Sequence, residues 1–477
     1  MSNPQTFTSF KAGFYSRFKD AHLFDCADFN LTKVVLDGLK IQYSSRGKIS
    51  RYFYFPLPVY QLILFLKRFR KRNGGTHPLT EFAALKKRPY VIVDNCNINP
   101  FVPNEKGENV SRFFERIIQV LGREKTSTLQ IMRDDENPYF DLYVRRIEER
   151  ILFNPLNEDE KLLRKALLAK MKEFRKSNLF TKAELIDIGF AVENFFKKFR
   201  VWNELMKYLE PKVLFFNTHY HFEGALLAIK RNKVLAIELQ HGLIAPEDIF
   251  YMMPELIRPV REKACFADLI MTYGEFWSDR LRKGFEYSSG QILNCGYYLY
   301  ERSVLDEETV SRINNLLDKK QMILVATQIS LHEHFIKYVS FLATHPSFDP
   351  DQWVICIKPH IAEDVSVYSA LRSFNGVLVI DEPIENLLRF SEILISIYST
   401  VLYDAMRYGV RGYALSVPGF TDYVDTIVNS GVAIRLGEQE SPIGEKRTAA
   451  TTAMSSFFDN FKPEIIRHFM VENTELK

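Results

Sequence analysis

The sequence predicts an α/β fold made of two doubly wound halves. Short apolar, β-branched runs recur along the chain and end in polar or glycine-bearing turns, and stretches with apolar residues three and four apart separate them. That alternation runs in two blocks that meet near Gly296, and 477 residues are too many for one ordinary core. The stretch Val234 to Ile244, VLAIELQHGLI, shows the pattern best. An apolar strand delivers Gln240, His241 and Gly242 at its carboxyl end, where open α/β sheets bind ligands.

Residues 1–85 are read as an N-terminal extension. LTKVVLDGL fits a helix or a strand, and Arg51 to Gly75 joins aromatic and aliphatic residues to Lys67, Arg68, Arg70, Lys71 and Arg72. Cations beside apolar rings suit a membrane-surface anchor, or an acceptor-side segment. A core-packed helix with a solvated basic end has the same composition. Residues 86–296 are predicted to form the first Rossmann-like domain. Its strands are Tyr90 to Val93, STLQIM, Val213 to Phe216, the organising strand, Leu269 to Thr272 and Gln291 to Asn294. From Val110, SRFFERIIQVLG is expected as a helix closed by Gly122. Residues 138–209 read as a helical insertion. Residues 297–445 form the second domain, with strands QMILVATQ, Trp353 to Ile357, Val377 to Ile380, Ile393 to Ser396 and Tyr413 to Ser416. Residues 446–477 add helices without evident chemistry.

A net charge of +4 from 63 basic and 59 acidic side chains leaves no chain-wide nucleic-acid footprint. The five scattered cysteines show no metal spacing, and their odd number argues against a disulfide framework. Neither a signal-peptide core nor a membrane-spanning run is present in the sequence. The expected location is cytoplasmic, peripheral to an inner membrane if the basic segment is an anchor.

The chemistry is expected at strand ends. Gln240 and His241 offer an amide and an imidazole to phosphate or sugar oxygens, and Gly242 permits a sharp turn beside them. The plain alternative is a loop histidine satisfying local backbone. Ser396 ends a buried strand, and Tyr398, Ser399 and Thr400 then open a helix, where free N–H groups and hydroxyls suit an anion. Ser399 acting only as a helix cap is the competing reading. Thr327 ends another strand, and Lys358 and His360 add a cation and an imidazole at the next. Asp134 and Asp135 after STLQIM suggest a Mg²⁺ or Mn²⁺ site of the kind GT-A transferases use, against which stands an ordinary solvated loop. His332 and His334 lack a third ligand.

LQHG (Leu239 to Gly242), KPH (Lys358 to His360) and IYSTVLYDAMRYG (Ile397 to Gly409) together resemble the bacterial capsule and surface-polysaccharide glycosyltransferases of GT-B fold. These are relatives of the Kdo and sialic acid transferases and the CDP-glycerol glycerophosphotransferases. The resemblance spans roughly residues 210 to 420. It implies two Rossmann-like domains across a cleft, with the donor nucleotide on the second. It matches His360, Ser399 and Thr400 to phosphate-binding positions and His241 to the histidine facing the donor. Ile397 stands where the phosphotransferases carry an acidic residue, which favours sugar transfer over polyol-phosphate transfer.

The expectation is therefore a metal-independent glycosyltransferase. Its partners would be a nucleotide-sugar donor, CMP-linked for example, and a glycan or lipid-linked glycan acceptor, with no nucleic acid and no cofactor. Gln240, Gly242, Thr327, Lys358, His360, Tyr398, Ser399 and Thr400 are the expected donor contacts. Glu223, His219, His221 and His241 are the expected catalytic set, with Glu223 favoured as base and a helix-capping Glu223 as its rival. The alternatives are a polyol-phosphate transferase using a CDP-linked donor, a sugar-nucleotide epimerase, and a non-catalytic polysaccharide-assembly scaffold.

Overall fold

The computed structural model describes residues 7–43, 86–94, 101–131, 137, 139–219, 222–246, 248, 251, 255–284, 287–301, 305–329, 331–361, 363–444 and 454–474. The basic segment Arg51 to Gly75, the acidic turn Arg133 to Glu136 and His221 lie outside them.

The chain begins with α1 (Phe7–Arg17), a strand pair β1 (Asp25–Cys26) and β2 (Phe29–Asn30), and α2 (Thr32–Tyr43). The ambiguous LTKVVLDGL is therefore helical from its second residue. This region folds because its phenylalanines have somewhere to go. Phe24 meets Phe174 edge-on at 6.0 Å, Phe18 meets Phe180 at 5.3 Å, and Phe29 stacks on Phe195 at 5.5 Å.

The first half continues with β3 (Tyr90–Asp94), a hairpin of β4 (Phe101–Pro103) and β5 (Asn109–Ser111), α3 (Glu115–Leu121), β6 (Thr126–Gln130) and β7 (Leu142–Tyr143). The helix expected from Val110 starts later, because Asn109–Ser111 pairs in that hairpin; Gly122 does end it, at φ +90°. Three helices follow: α4 (Val144–Phe153), α5 (Glu158–Lys176) and α6 (Lys182–Leu209). Capping boxes at Asn157/Glu160 and Thr181/Glu184 start the last two. Buried Arg200 ties all three together, with its Nε 3.2 Å from Glu160 and its other nitrogens donating to the carbonyls of Ile151, Leu152 and Asn154.

Then come β8 (Val213–Phe216), α7 (Glu223–Arg231), β9 (Leu235–Leu239), β10 (Leu269–Thr272), α8 (Glu275–Lys283) and β11 (Ile292–Asn294). Gly224 is required where α7 crosses α6, since a Cβ there would lie 2.0 Å from the Phe195 carbonyl oxygen. The second half runs α9 (Glu307–Leu317), β12 (Gln321–Ala326), α10 (His332–Thr344), β13 (Trp353–Lys358), β14 (Val377–Val379), α11 (Ile384–Leu388), β15 (Ser391–Ser396), α12 (Val401–Arg407), β16 (Arg411–Leu415), α13 (Thr421–Asn429) and β17 (Ile434–Leu436). A final helix, α14 (Pro463–Thr474), closes the described chain.

All pairings in both sheets are parallel. The first sheet has the order β11-β10-β9-β8-β3-β6-β7 and the second β14-β13-β12-β15-β16-β17. Counted from β12, the second is 3-2-1-4-5-6, the doubly wound order, and the first repeats it from β3 with one strand more. These are the two Rossmann-like domains the sequence predicts. Strand order reverses between β3 and β8 in one sheet and between β12 and β15 in the other, which fixes where a ligand crevice opens.

The halves are joined on both sides of this arrangement. Gly296 adopts φ +72°, and a Cβ on it would lie 2.0 Å from the Asn460 carbonyl oxygen, so the outgoing linker and the returning C-terminal segment need glycine where they cross. The C-terminal segment packs Phe458 against the Tyr273–Tyr297 pair, at ring distances of 6.1 and 5.0 Å.

Candidate active site

On the first wall, β8 ends in Asn217 and His219 while β9 carries Glu238 and ends before Gln240 and His241. His219 and Glu238 are both fully buried, and Nδ1 of His219 lies 2.8 and 2.7 Å from the two carboxylate oxygens. Tyr251 donates to the same carboxylate at 2.7 Å and Tyr287 at 3.2 Å. Burial pushes Glu238 up, but His219 and the Tyr251 hydroxyl hold it below the usual carboxylate range. Burial lowers His219 in turn, against the pull of Glu238. A neutral imidazole beside an ionised carboxylate must carry its hydrogen on Nδ1, because the carboxylate only accepts.

His241 sits in front of that pair, partly exposed. Burial lowers its pKa to about 4, Glu238 opposing and His219 adding to the shift, and its ring bonds the backbone of Asn217. It is therefore neutral near pH 7.

Gln240 does something other than expected. Its Nε2 donates to the Gly242 carbonyl at 3.0 Å and its Oε1 accepts from Tyr273 N–H at 3.1 Å, so the buried amide holds the loop that presents His241. Gly242, read from the sequence as permitting a sharp turn beside a ligand, follows directly. It has no positive φ, and a Cβ there would meet nothing within 4 Å. The open space beside it, rather than backbone strain, is what it contributes.

Glu223 is buried in the first turn of α7, where its carboxylate opposes the lowering of Lys198 of α6 by burial and adds to the raising of the Cys265 thiol. The groups acting on His241 are Glu238 and His219.

The second wall is the crevice between β12 and β15. Gln328 bridges it, its Oε1 accepting from the N–H groups of Ile397 at 3.2 Å and Tyr398 at 3.0 Å. Ser399 Oγ accepts from Val401 N–H at 3.3 Å, as the capping alternative expects, and Thr400 stands at the cap position of α12 without a side-chain cap bond. Among the described residues no partner is found for the backbone N–H of Ser399 or Thr400. Thr327 donates to Glu363, and the His360 N–H donates to Thr327 Oγ1 at 3.1 Å and to Glu363 Oε2 at 3.0 Å. Burial lowers the His360 imidazole, Glu363 opposing. Lys358 Nζ lies 2.8 Å from the exposed Asp381 carboxylate. The Tyr398 ring stacks on Phe420 at 5.2 Å and tilts against Tyr423 at 5.0 Å, forming an aromatic platform beside the crevice.

His241 and Thr400 line one small cavity between the halves, together with Arg112, Tyr273, Tyr297 and Asp404. The floor of that cavity is a buried ionic cluster. Arg112 lies 2.6 Å from Glu385, 3.1 Å from Glu301 and 3.6 Å from Asp404; Arg407 lies 2.6 Å from Glu301; and Tyr297 donates to Asp404 at 2.9 Å. Burial raises Asp404 despite Arg112, while Arg112 and Arg407 overcome burial to hold Glu301 low. Sequence reading missed Arg112, Glu301, Glu363, Glu385 and Asp404, and named Glu238 only as part of its strand. Asp404 lies inside the quoted stretch Ile397 to Gly409 without having been singled out, the others stand outside every motif, and their charges gain meaning only from partners far along the chain. Among the described residues no three His, Cys, Asp or Glu side chains are grouped to hold a metal ion; His334 instead pairs with Glu438 at 3.3 Å.

No protein-family model matches the chain, and no curated protein matches it. Among solved structures it is similar to MnaA of S. aureus in a co-structure with UDP, at 12% identity and a TM-score of 0.50, over 82% of this chain and 98% of that one. The fold is GT-B-like. A UDP-GlcNAc 2-epimerase from Neisseria meningitidis bound to UDP-GlcNAc is 10% identical with a TM-score of 0.42, over 81% of this chain and 91% of that one. A glycosyltransferase from Rickettsia africae is 12% identical with a TM-score of 0.41, over 82% and 99%. At these identities the likeness is one of fold. No helix among the described residues is long and apolar enough to cross a membrane.

Proposed function

We propose that this protein is a glycosyltransferase that moves a sugar from a nucleotide-activated donor to a surface-glycan acceptor. One observation supports the reading: His241 from one half and Thr400 from the other line the same small cavity of about 40 Å³, so the first wall's histidine stands beside the helix start at the second switch point. The donor's phosphates would take the N–H groups and hydroxyls of Ser399 and Thr400, with Thr327, Lys358 and His360 at the neighbouring strand ends and Tyr398 beside the base or ribose. His241 would accept the proton of the attacking hydroxyl, since burial keeps it neutral and its ring is fixed by the Asn217 backbone. His219 and Glu238 stand behind it as a buried positioning pair. Glu223, the base favoured from sequence, is set aside in this reading because its charge acts on Lys198 and Cys265.

The test is incubation of the full chain, in EDTA, with UDP-, CDP-, CMP- and GDP-sugars, with and without lipid-linked glycan. Acceptor-dependent release of nucleotide with a lengthened glycan supports transfer. Conversion of the sugar nucleotide to an isomer without acceptor replaces transfer with the epimerase reading. Failure of every nucleotide to bind leaves the scaffold reading in its place.

A further inference from the structure

Helices α5 and α6 form a groove of about 660 Å³ that takes no part in the cleft, lined by Leu167, Leu168, Met171, Leu185, Ile186 and Phe196. Its lips carry large apolar side chains that folding leaves in solvent, Leu168 at 62% exposed and Ile186 at 50%, and Leu162, 65% exposed, stands elsewhere on the solvent side of α5. Cations surround them. Arg164, Arg175 and Lys182 belong to the groove itself, and Lys161, Lys165, Lys172 and Lys176 stand on the exposed side of α5. Acids offset part of this: Glu158 pairs with Lys161 at 2.7 Å, Glu173 with Lys170 at 2.9 Å, Glu193 lines the groove, and Glu160 is buried near Arg200, while among the described residues no acid pairs with Arg164, Lys165, Lys172, Arg175 or Lys176.

A solvated helix face has no use for exposed leucines, and a core face would not be ringed with lysine. Exposed apolar groups among cations fit a surface that is anionic outside and apolar beneath. We propose that the α5–α6 face docks on an anionic phospholipid bilayer, with Leu162, Leu168 and Ile186 at the acyl boundary and the cations on lipid phosphates. A second copy of the chain does not fit, because an isologous contact would set these cations against themselves. Arg51 to Gly75 does not fit either, since it ends in a cationic cluster and brings like charge to like. The inference is independent of what the cleft binds.

Co-sedimentation of the full chain with phosphatidylcholine vesicles, with and without one-third phosphatidylglycerol, tests it. The parent is expected on the anionic vesicles only, with binding weakened by salt. Leu162→Glu with Leu168→Glu should lower partitioning at least ~tenfold, and each of Lys165→Glu and Lys172→Glu about fivefold or more. Both sets should melt as the parent does, because the replaced side chains are exposed. Parental vesicle binding in both sets overturns the inference. So does binding abolished only by replacing Lys67 to Arg72, or a parent that ignores anionic lipid. A parent that is a dimer, made monomeric by the leucine changes, overturns it in favour of a second copy.

Discussion

On the first wall of the cleft, His219, Glu238, Tyr251 and Tyr287 come from separate segments and meet as buried side chains. On the second wall, Gln328 and His360 are held largely through backbone N–H groups at neighbouring strand ends, and the side-chain bonds there are fewer and more exposed, among them Thr327 and Tyr368 to Glu363 and Lys358 to Asp381. The difference teaches what each wall is suited to. A network of interlocked, desolvated side chains holds one proton arrangement and resists change. Strand ends tied through backbone leave hydroxyls and N–H groups that a polyanion can recruit with little rearrangement.

The sharpest break of this comparison is a matched pair of variants. Glu238→Gln replaces a buried carboxylate that accepts from an imidazole and two tyrosines with a neutral amide, and should cost about 3 kcal/mol or more of unfolding free energy in urea titration, since several charge-assisted hydrogen bonds weaken at once. Glu363→Gln on the second wall should cost about 1–2 kcal/mol, since it exchanges charged for neutral hydrogen bonds among half-buried groups. Equal losses would erase the distinction between the walls.

His241→Asn asks whether the first wall does chemistry. Transfer should fall on the order of a hundredfold with nucleotide affinity unchanged. The same variant has a pH signature. The folded pKa of His241, about 4, lies below the ordinary imidazole value of 6.5, so the unfolded chain binds the proton first. Its contribution is present above about pH 6.5 and is lost as pH falls toward 4, and removing the ring should flatten that decline in stability by on the order of 2 kcal/mol. A parental rate and an unchanged acid limb would return the base role to Glu223 or His219.

The last effect is expected on the second wall's hydroxyls. Ser399→Ala with Thr400→Ala should weaken nucleotide binding by about 1.5–3 kcal/mol in calorimetry while leaving the melting temperature within a few degrees, because these hydroxyls bond little within the protein. Parental affinity would move the phosphates away from the β12–β15 crevice.

The sequence by itself determined the strands and the places where they end. A parallel strand covered on both faces must be apolar along its length, so Val213–Phe216 and Leu269–Thr272 are legible residue for residue. The short edge strands Leu142–Tyr143 and Ile434–Leu436 were not, because two or three residues carry no period and the first lies inside a helical composition. Thr327, His360, Ser399 and Thr400 could be placed just past strand ends in advance, because an apolar run shows where its strand stops. Tertiary structure alone decided which charges meet. Glu238 faces His219 because β8 and β9 are neighbours in register, and Arg112 reaches Glu385 and Asp404 only because two separately folded sheets close on each other. Periodicity records whether a side chain is buried; the partner that makes a buried charge tolerable is chosen by sheet order and domain packing, which no local stretch of sequence encodes.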